Sequence, residues 1–263
     1  MKHVTIERFR IDDLEKYIKA KDTIFSFNSS VDLLVDSNTG EILISNHDAN
    51  KLTGKLPLVF GKINGNFNCS HLKLTTLEGC PTEVNGDFYC SHNLLKNLKD
   101  SPKIVRDNYF CNNNLLTSLE GCVKRIDANF YCGDNKLIDL SNGPTYVCHL
   151  YACSHFGEAS ILRGDKIECM MFRCIHTDLR SLVGIHRVIK SANSIDISGN
   201  DIKEGGLGLL LIDGLATVKH DNESSRFDLS LQIIKKYFGK GKRGMIDCQT
   251  ELIKAGYKEF AKL

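Results

Sequence analysis

The chain has 263 residues, 42% of them hydrophobic and 25% charged, with a formal net charge of +2. That composition is an ordinary globular one, the charge is too small by itself to imply nucleic acid or a membrane surface, and no apolar run approaches the ~20 residues of a membrane span. The opening residues, Met1 to Tyr17, carry acids and lack the apolar stretch of a secretory signal, so a cytoplasmic protein with no membrane partner is expected.

Residues 1–50 precede any regular pattern. His3 to Phe9 alternates like a short strand, and Asp12 and Asp13 can cap a helix running to about Ala20. Val31–Val35 and Glu41–Ile44 flank the turn residues Asp36-Ser-Asn-Thr-Gly40 and predict a hairpin. Ile42-Leu43-Ile44 already resembles a strand that recurs later, so this segment reads as an α/β N-terminal cap with an irregular first repeat.

Residues 51–218 are repetitive. Cys69, Cys90, Cys111, Cys132, Cys153 and Cys174 stand 21 residues apart. Two positions before each is an aromatic (Phe67, Phe88, Tyr109, Phe130, Tyr151, Phe172), and eight positions after each is a large aliphatic (Leu77, Leu98, Leu119, Leu140, Ile161, Leu182). A fixed period of this length specifies a solenoid. The aromatic and the cysteine, two apart, share one face of a short strand and point inward. Asn93, Asn114, Asn135 and Asn200 follow three residues after the cysteine position, where an amide can turn the chain and bond backbone along the stack. Gly79-Cys80-Pro81 and Ser101-Pro102 close the coils.

These phrases resemble the leucine-rich repeat, L-x-x-L-x-L-x-x-N-x-L. They are similar in particular to the short repeats of bacterial effectors: aligning Leu116-Thr-Ser-Leu119-Glu-Gly-Cys122 with that pattern places Ile126, Phe130, Cys132 and Asn135 on its remaining apolar and asparagine positions. The same L-x-G-C-P and G-x-F-x-C phrases resemble repeat proteins of bacteriophages. The resemblance covers about Ile42 to Val218 and departs late: Phe156 and Thr177 replace asparagine, Asp165 and His186 replace proline, and the strand at Ile195 arrives after 23 residues. It implies a leucine-rich-repeat solenoid of about eight parallel strands on one face, with loops or 3₁₀ turns behind.

Residues 219–263 follow as a C-terminal helical hairpin, with helices at Phe227 to Phe238 and Met245 to Leu263 around a Gly239–Gly244 loop. Residues 235–263 hold eight Lys/Arg against three Asp/Glu, which raises nucleic-acid binding as an alternative.

The period also decides which side chains point outward. Tyr89, Phe110 and Tyr131 precede their cysteines by one and should line up on neighbouring strands about 4.8 Å apart. With Asn108, Asn129 and Arg173 nearby, they form the candidate surface for a protein partner, because exposed aromatics match the composition of binding hot spots. The expected function is a non-enzymatic protein-binding module, which the resemblance to phage repeat proteins implies is phage-encoded and acts on a host factor; an effector or enzyme whose repeats select the target is the other alternative. His71, His92, His155 and His176 form a partial column that reads as solvated loop residues, since Asn113 and Asp134 share it. The eleven cysteines read as reduced core residues, and the pairs Cys148/Cys153 and Cys169/Cys174 are explained by the repeat. No catalytic residue, cofactor or metal site is expected.

Overall fold

The computed structural model describes residues 23–27, 31–35, 42–46, 54–56, 59–154, 161–221 and 225–263. The strand and helix expected before residue 21, and His155 and Phe156, lie outside these residues. The described chain is a parallel-strand solenoid with few helices, and it divides into two compact units: Met1–Lys136 with Asn142–Pro144, and Leu137–Ser141 with Thr145–Leu263.

In the first unit each 21-residue coil lays its strand on the strand before it. β1 (Thr23–Phe27), β2 (Val31–Val35) and β3 (Ile42–Asn46) pair antiparallel in that order. The runs expected as a hairpin are thus β2 and β3, and β1 is a strand the sequence reading did not contain. β3 then pairs in parallel with β5 (Phe67–Asn68), Ile42 opposite Phe67. β7 (Phe88–Tyr89), β9 (Tyr109–Phe110) and β11 (Phe130–Tyr131) continue the stack, each aromatic opposite the next.

Where loops or 3₁₀ turns were expected, the first unit carries a second parallel sheet: β4 (Lys62–Ile63), β6 (Glu83–Val84) and β8 (Ile104–Val105), with β10 (Arg125–Ile126) at the next 21-residue step. Its inward residues Ile63, Val84, Val105 and Ile126 are buried. A tight corner separates the two strands of a coil. At Gly86 a Cβ would lie 2.3 Å from Asn66 Oδ1, so this corner admits no side chain. Gly121 closes another turn at φ +95°, with Leu98 carbonyl oxygen 2.2 Å from where a Cβ would stand.

The core of this unit is the aromatic column. Phe67, Phe88, Tyr109 and Phe130 are fully buried, with successive ring centroids 6.1, 5.0 and 5.7 Å apart. Leu77, Leu98 and Leu119 face them from the returning limb, as the period predicts. Tyr109 keeps its phenol satisfied on Ser101 Oγ at 2.7 Å.

The second unit is built from β12 (Tyr146–Ala152), β13 (Ile167–Arg173), β15 (Ser194–Asp196) and β16 (Thr217–Lys219), all parallel, with β14 (Ile189–Ser191) also on β13. Tyr151, Phe172 and Ile195 stack in register and are buried. The coil that is two residues longer contains α1 (Ile185–Val188) as well as β14.

A 3₁₀ turn at Leu207–Leu211 follows, and the last helix packs on it. α2 (Arg226–Lys235) is capped by Ser225, whose hydroxyl accepts from Asp228 N–H at 3.0 Å. α3 (Gly241–Lys254) begins inside the segment expected as a loop and stops short of the expected end. Gly244 is buried in one stripe with Cys248 and Leu252, and a Cβ there would stand 2.4 Å from Cβ of Lys240, the residue that starts the helix. Gly256, at φ +83°, ends the helix, with Gly256 N–H bonded to Ile253 O and Tyr257 N–H to Leu252 O. Phe227, Ile234 and Phe260 meet the coil at Gly206, and Gly205 N–H donates to Glu259 O at 3.0 Å.

Candidate partner-binding face

Tyr89, Phe110 and Tyr131 stand directly opposite one another on β7, β9 and β11. Their rings stack face to face, with centroids 4.7 Å apart in both pairs and planes 2° and 5° from parallel. All three are half-buried. Parallel strands fix this spacing, and the flat stacking has a chemical consequence. Both faces of the Phe110 ring are occupied by its neighbours, so its edge is what remains to meet another molecule. A ring edge carries the positive side of the aromatic quadrupole.

Polar ladders flank this rail. On one side, Asn108 N and Nδ2 donate to Asp87 Oδ1 at 2.9 and 2.8 Å, and Asn129 N and Nδ2 donate to Asn108 Oδ1 at 3.1 and 2.7 Å. Asp87 N–H in turn donates to Asn66 Oδ1 at 2.8 Å, and the Tyr89 hydroxyl donates to Asp87 Oδ2 at 2.7 Å. The amides of Asn108 and Asn129 therefore tie coil to coil beside the aromatics. On the other side Ser91 Oγ donates to Asn112 Oδ1 at 2.7 Å. The structure thus groups five of the six candidate residues in the first unit. Arg173 belongs to the second unit, on β13, with its Nε 3.5 Å from Asp196 Oδ2 on β15.

The asparagine column does what its repetition predicts. Asn93 Nδ2 donates to the carbonyls of Cys69 and Cys90 at 2.9 and 3.0 Å, while its Oδ1 accepts from Leu72 and Leu74 N–H, both at 3.0 Å. Asn114 and Asn135 repeat the pattern one and two coils on, and Asn200 does so in the second unit. At Thr177 the hydroxyl bonds Asn200 Oδ1 at 2.9 Å in place of the missing amide.

The histidine column has a backbone cause. His71, His92 and His176 have φ between +51° and +61°, as do Asn113 and Asp134 at the equivalent positions. Histidine, asparagine and aspartate are the non-glycine residues that most tolerate this left-handed conformation. His71 and His92 stack with centroids 4.3 Å apart.

All eleven cysteines are free, and nine are buried. Cys69, Cys90 and Cys111 donate Sγ–H to the carbonyls of Tyr89, Phe110 and Tyr131 at 3.2, 3.3 and 3.4 Å. Burial pushes the thiols of Cys90 and Cys111 well above the ordinary range, which leaves them protonated and unreactive. Cys148 and Cys169 are the two that are half-exposed. Among the described residues no group of three or more His, Cys, Asp and Glu side chains is placed to hold a metal ion.

On the terminal helices Lys236 pairs with Glu251 at 2.7 Å and Arg226 with Glu259 at 2.5 Å. Lys235, Lys240, Lys242, Arg243, Lys254 and Lys258 are exposed. No helix among the described residues is long and apolar enough to cross a membrane. Compared with protein-family models, with curated proteins and with solved structures, the chain matches none.

Proposed function

We propose that this chain is a non-enzymatic, leucine-rich-repeat-type module that binds a protein through the sheet face around Tyr89, Phe110 and Tyr131. The observation that carries the reading is the rail itself: three aromatic rings in line, half-buried and bordered by satisfied polar ladders. Rigid aromatics of this kind supply contact area at little entropic cost and dominate binding hot spots. The ring edges favour a partner segment that brings carbonyl or carboxylate oxygens to them. On this reading the first three strands and the terminal helices act as caps. A phage-encoded factor acting on a host protein in the host cytoplasm is the setting that the repeat phrases suggest.

The test is affinity purification from the native cell with the wild-type chain and with a Tyr89→Thr, Phe110→Thr, Tyr131→Thr variant as baits. Threonine retains strand preference. A protein retained by the wild type and lost by the folded variant supports the face; equal retention rejects it. The exposed cations of the terminal helices support nucleic-acid binding as a second reading. Oligonucleotide binding that falls steeply with salt and survives the triple substitution would favour it.

A further inference from the structure

The corner between the two strands of a coil is polar in the first unit. Its triplets read Asn64-Gly65-Asn66, Asn85-Gly86-Asp87, Arg106-Asp107-Asn108 and Asp127-Ala128-Asn129. Asn85 Nδ2 donates to Asn64 Oδ1 at 3.2 Å there, coil to coil. In the second unit the same positions become Cys148-His149-Leu150 and Cys169-Met170-Met171. Here the chain does not turn as the first unit does: both triplets lie within the continuous strands β12 and β13. Cys148 and Cys169 are also the cysteines that the core does not bury.

The strands bring this chemistry together. β12 and β13 pair with Val147 opposite Cys169 and Leu150 opposite Met171, and the register slips between. Cys148 and His149 therefore stand on β12 against the single residue Met170 on β13. Met170 is 51% exposed. Cys148 Sγ lies 3.9 Å from His149 Nε2. An ion at ordinary metal–ligand lengths of about 2.3 Å to sulfur and about 2.0 Å to nitrogen would span that gap at an angle of about 130° without moving either group.

We propose that this slip in register between β12 and β13 is a binding site for a soft monovalent metal ion of the Cu(I) class, held by Cys148 Sγ, His149 Nε2 and the Met170 thioether. Softness selects the ion, since thiolate and thioether ligands favour Cu(I) over hard divalent cations. A d10 monovalent ion is satisfied by two or three ligands, whereas a structural zinc site needs four. The carboxylate of Glu168 on β13 is bonded to Lys190 Nζ at 2.7 Å. Binding exchanges the Cys148 thiol proton for the ion and releases it to solvent, so affinity rises with pH.

The test is a titration of the full reduced chain with Cu(I) under anaerobic conditions, against bicinchoninate as a competing chromophore. One equivalent should be withheld per chain, and X-ray absorption should show sulfur and nitrogen on copper. Cys148→Asn, using the residue of the equivalent first-unit corners, should weaken binding at least 100-fold. His149→Ala and Met170→Ala should each weaken it about 10-fold, in the range typical of altered metal sites. If Cys148→Asn fails to fold, His149→Ala titrated with Ag(I) decides, and unchanged affinity overturns the proposal. It is also overturned if the wild type withholds no copper, if Cys148→Asn holds it equally well, or if Zn(II) binds as tightly.

Discussion

Replacing Asn114 with alanine removes the bonds from its amide to Cys90 O and Cys111 O and leaves Leu95 N–H without its acceptor. Each buried polar group left unsatisfied costs about 1–3 kcal/mol, so Asn114→Ala should lose at least about 3 kcal/mol in urea denaturation. Its neighbour Asn113, at φ +54°, should accept glycine with little change, because that position needs conformational freedom rather than an amide. Both outcomes follow from columns visible in the sequence: asparagine recurring alone marks a bonding role, while histidine, asparagine and aspartate alternating mark a left-handed turn. The cysteine column was legible as core. Its thiol-to-carbonyl bonds were not, because composition reveals burial and carries no donor direction.

At the scale of elements, Ser225→Ala removes the hydroxyl that caps α2 and should cost about 1 kcal/mol, read from thermal melts. The link from β16 to α2 carries a pH dependence. Asp221 is held below the ordinary carboxylate range by the Gly199 N–H, which donates to it at 2.8 Å, with His220 and His176 contributing. The folded state thus binds its proton more weakly than the unfolded state. Its stabilisation is present above the ordinary value of about 4 and is lost as pH falls through the lower folded value. Wild type should melt above Asp221→Asn at about pH 6, and the difference should narrow as pH falls below about 4; a difference that grows with acidity would reverse the assignment. The bounds of α3 show where element reading ran out. A glycine-rich basic stretch reads as loop, yet Gly244 is buried in a helical stripe and lies against the Lys240 side chain one turn back. The stop at Ala255-Gly256 was readable as a helix C-terminus and was missed.

Across the whole chain the 21-residue period specified the parallel stack, its inward columns and the aromatic rail before any coordinate was known. It did not specify the second sheet. Two-residue strands such as Glu83–Val84 are too short for a period-2 signal, and only pairing between coils defines them. Nor did it separate Arg173 from the other five candidate residues, because a repeat register says nothing of where a chain divides into units. The rail carries the functional account and contributes to stability as well: a stacked aromatic pair is worth about 0.5–1.5 kcal/mol. The triple threonine variant should therefore melt several degrees lower while unfolding cooperatively. The decisive measurement is calorimetric titration of the purified protein partner into the wild type and that variant, below the variant's melting transition. Loss of three hot-spot side chains predicts an affinity at least about 100-fold weaker. An affinity within about twofold of wild type, with the variant folded, would place binding elsewhere on the molecule and contradict the account.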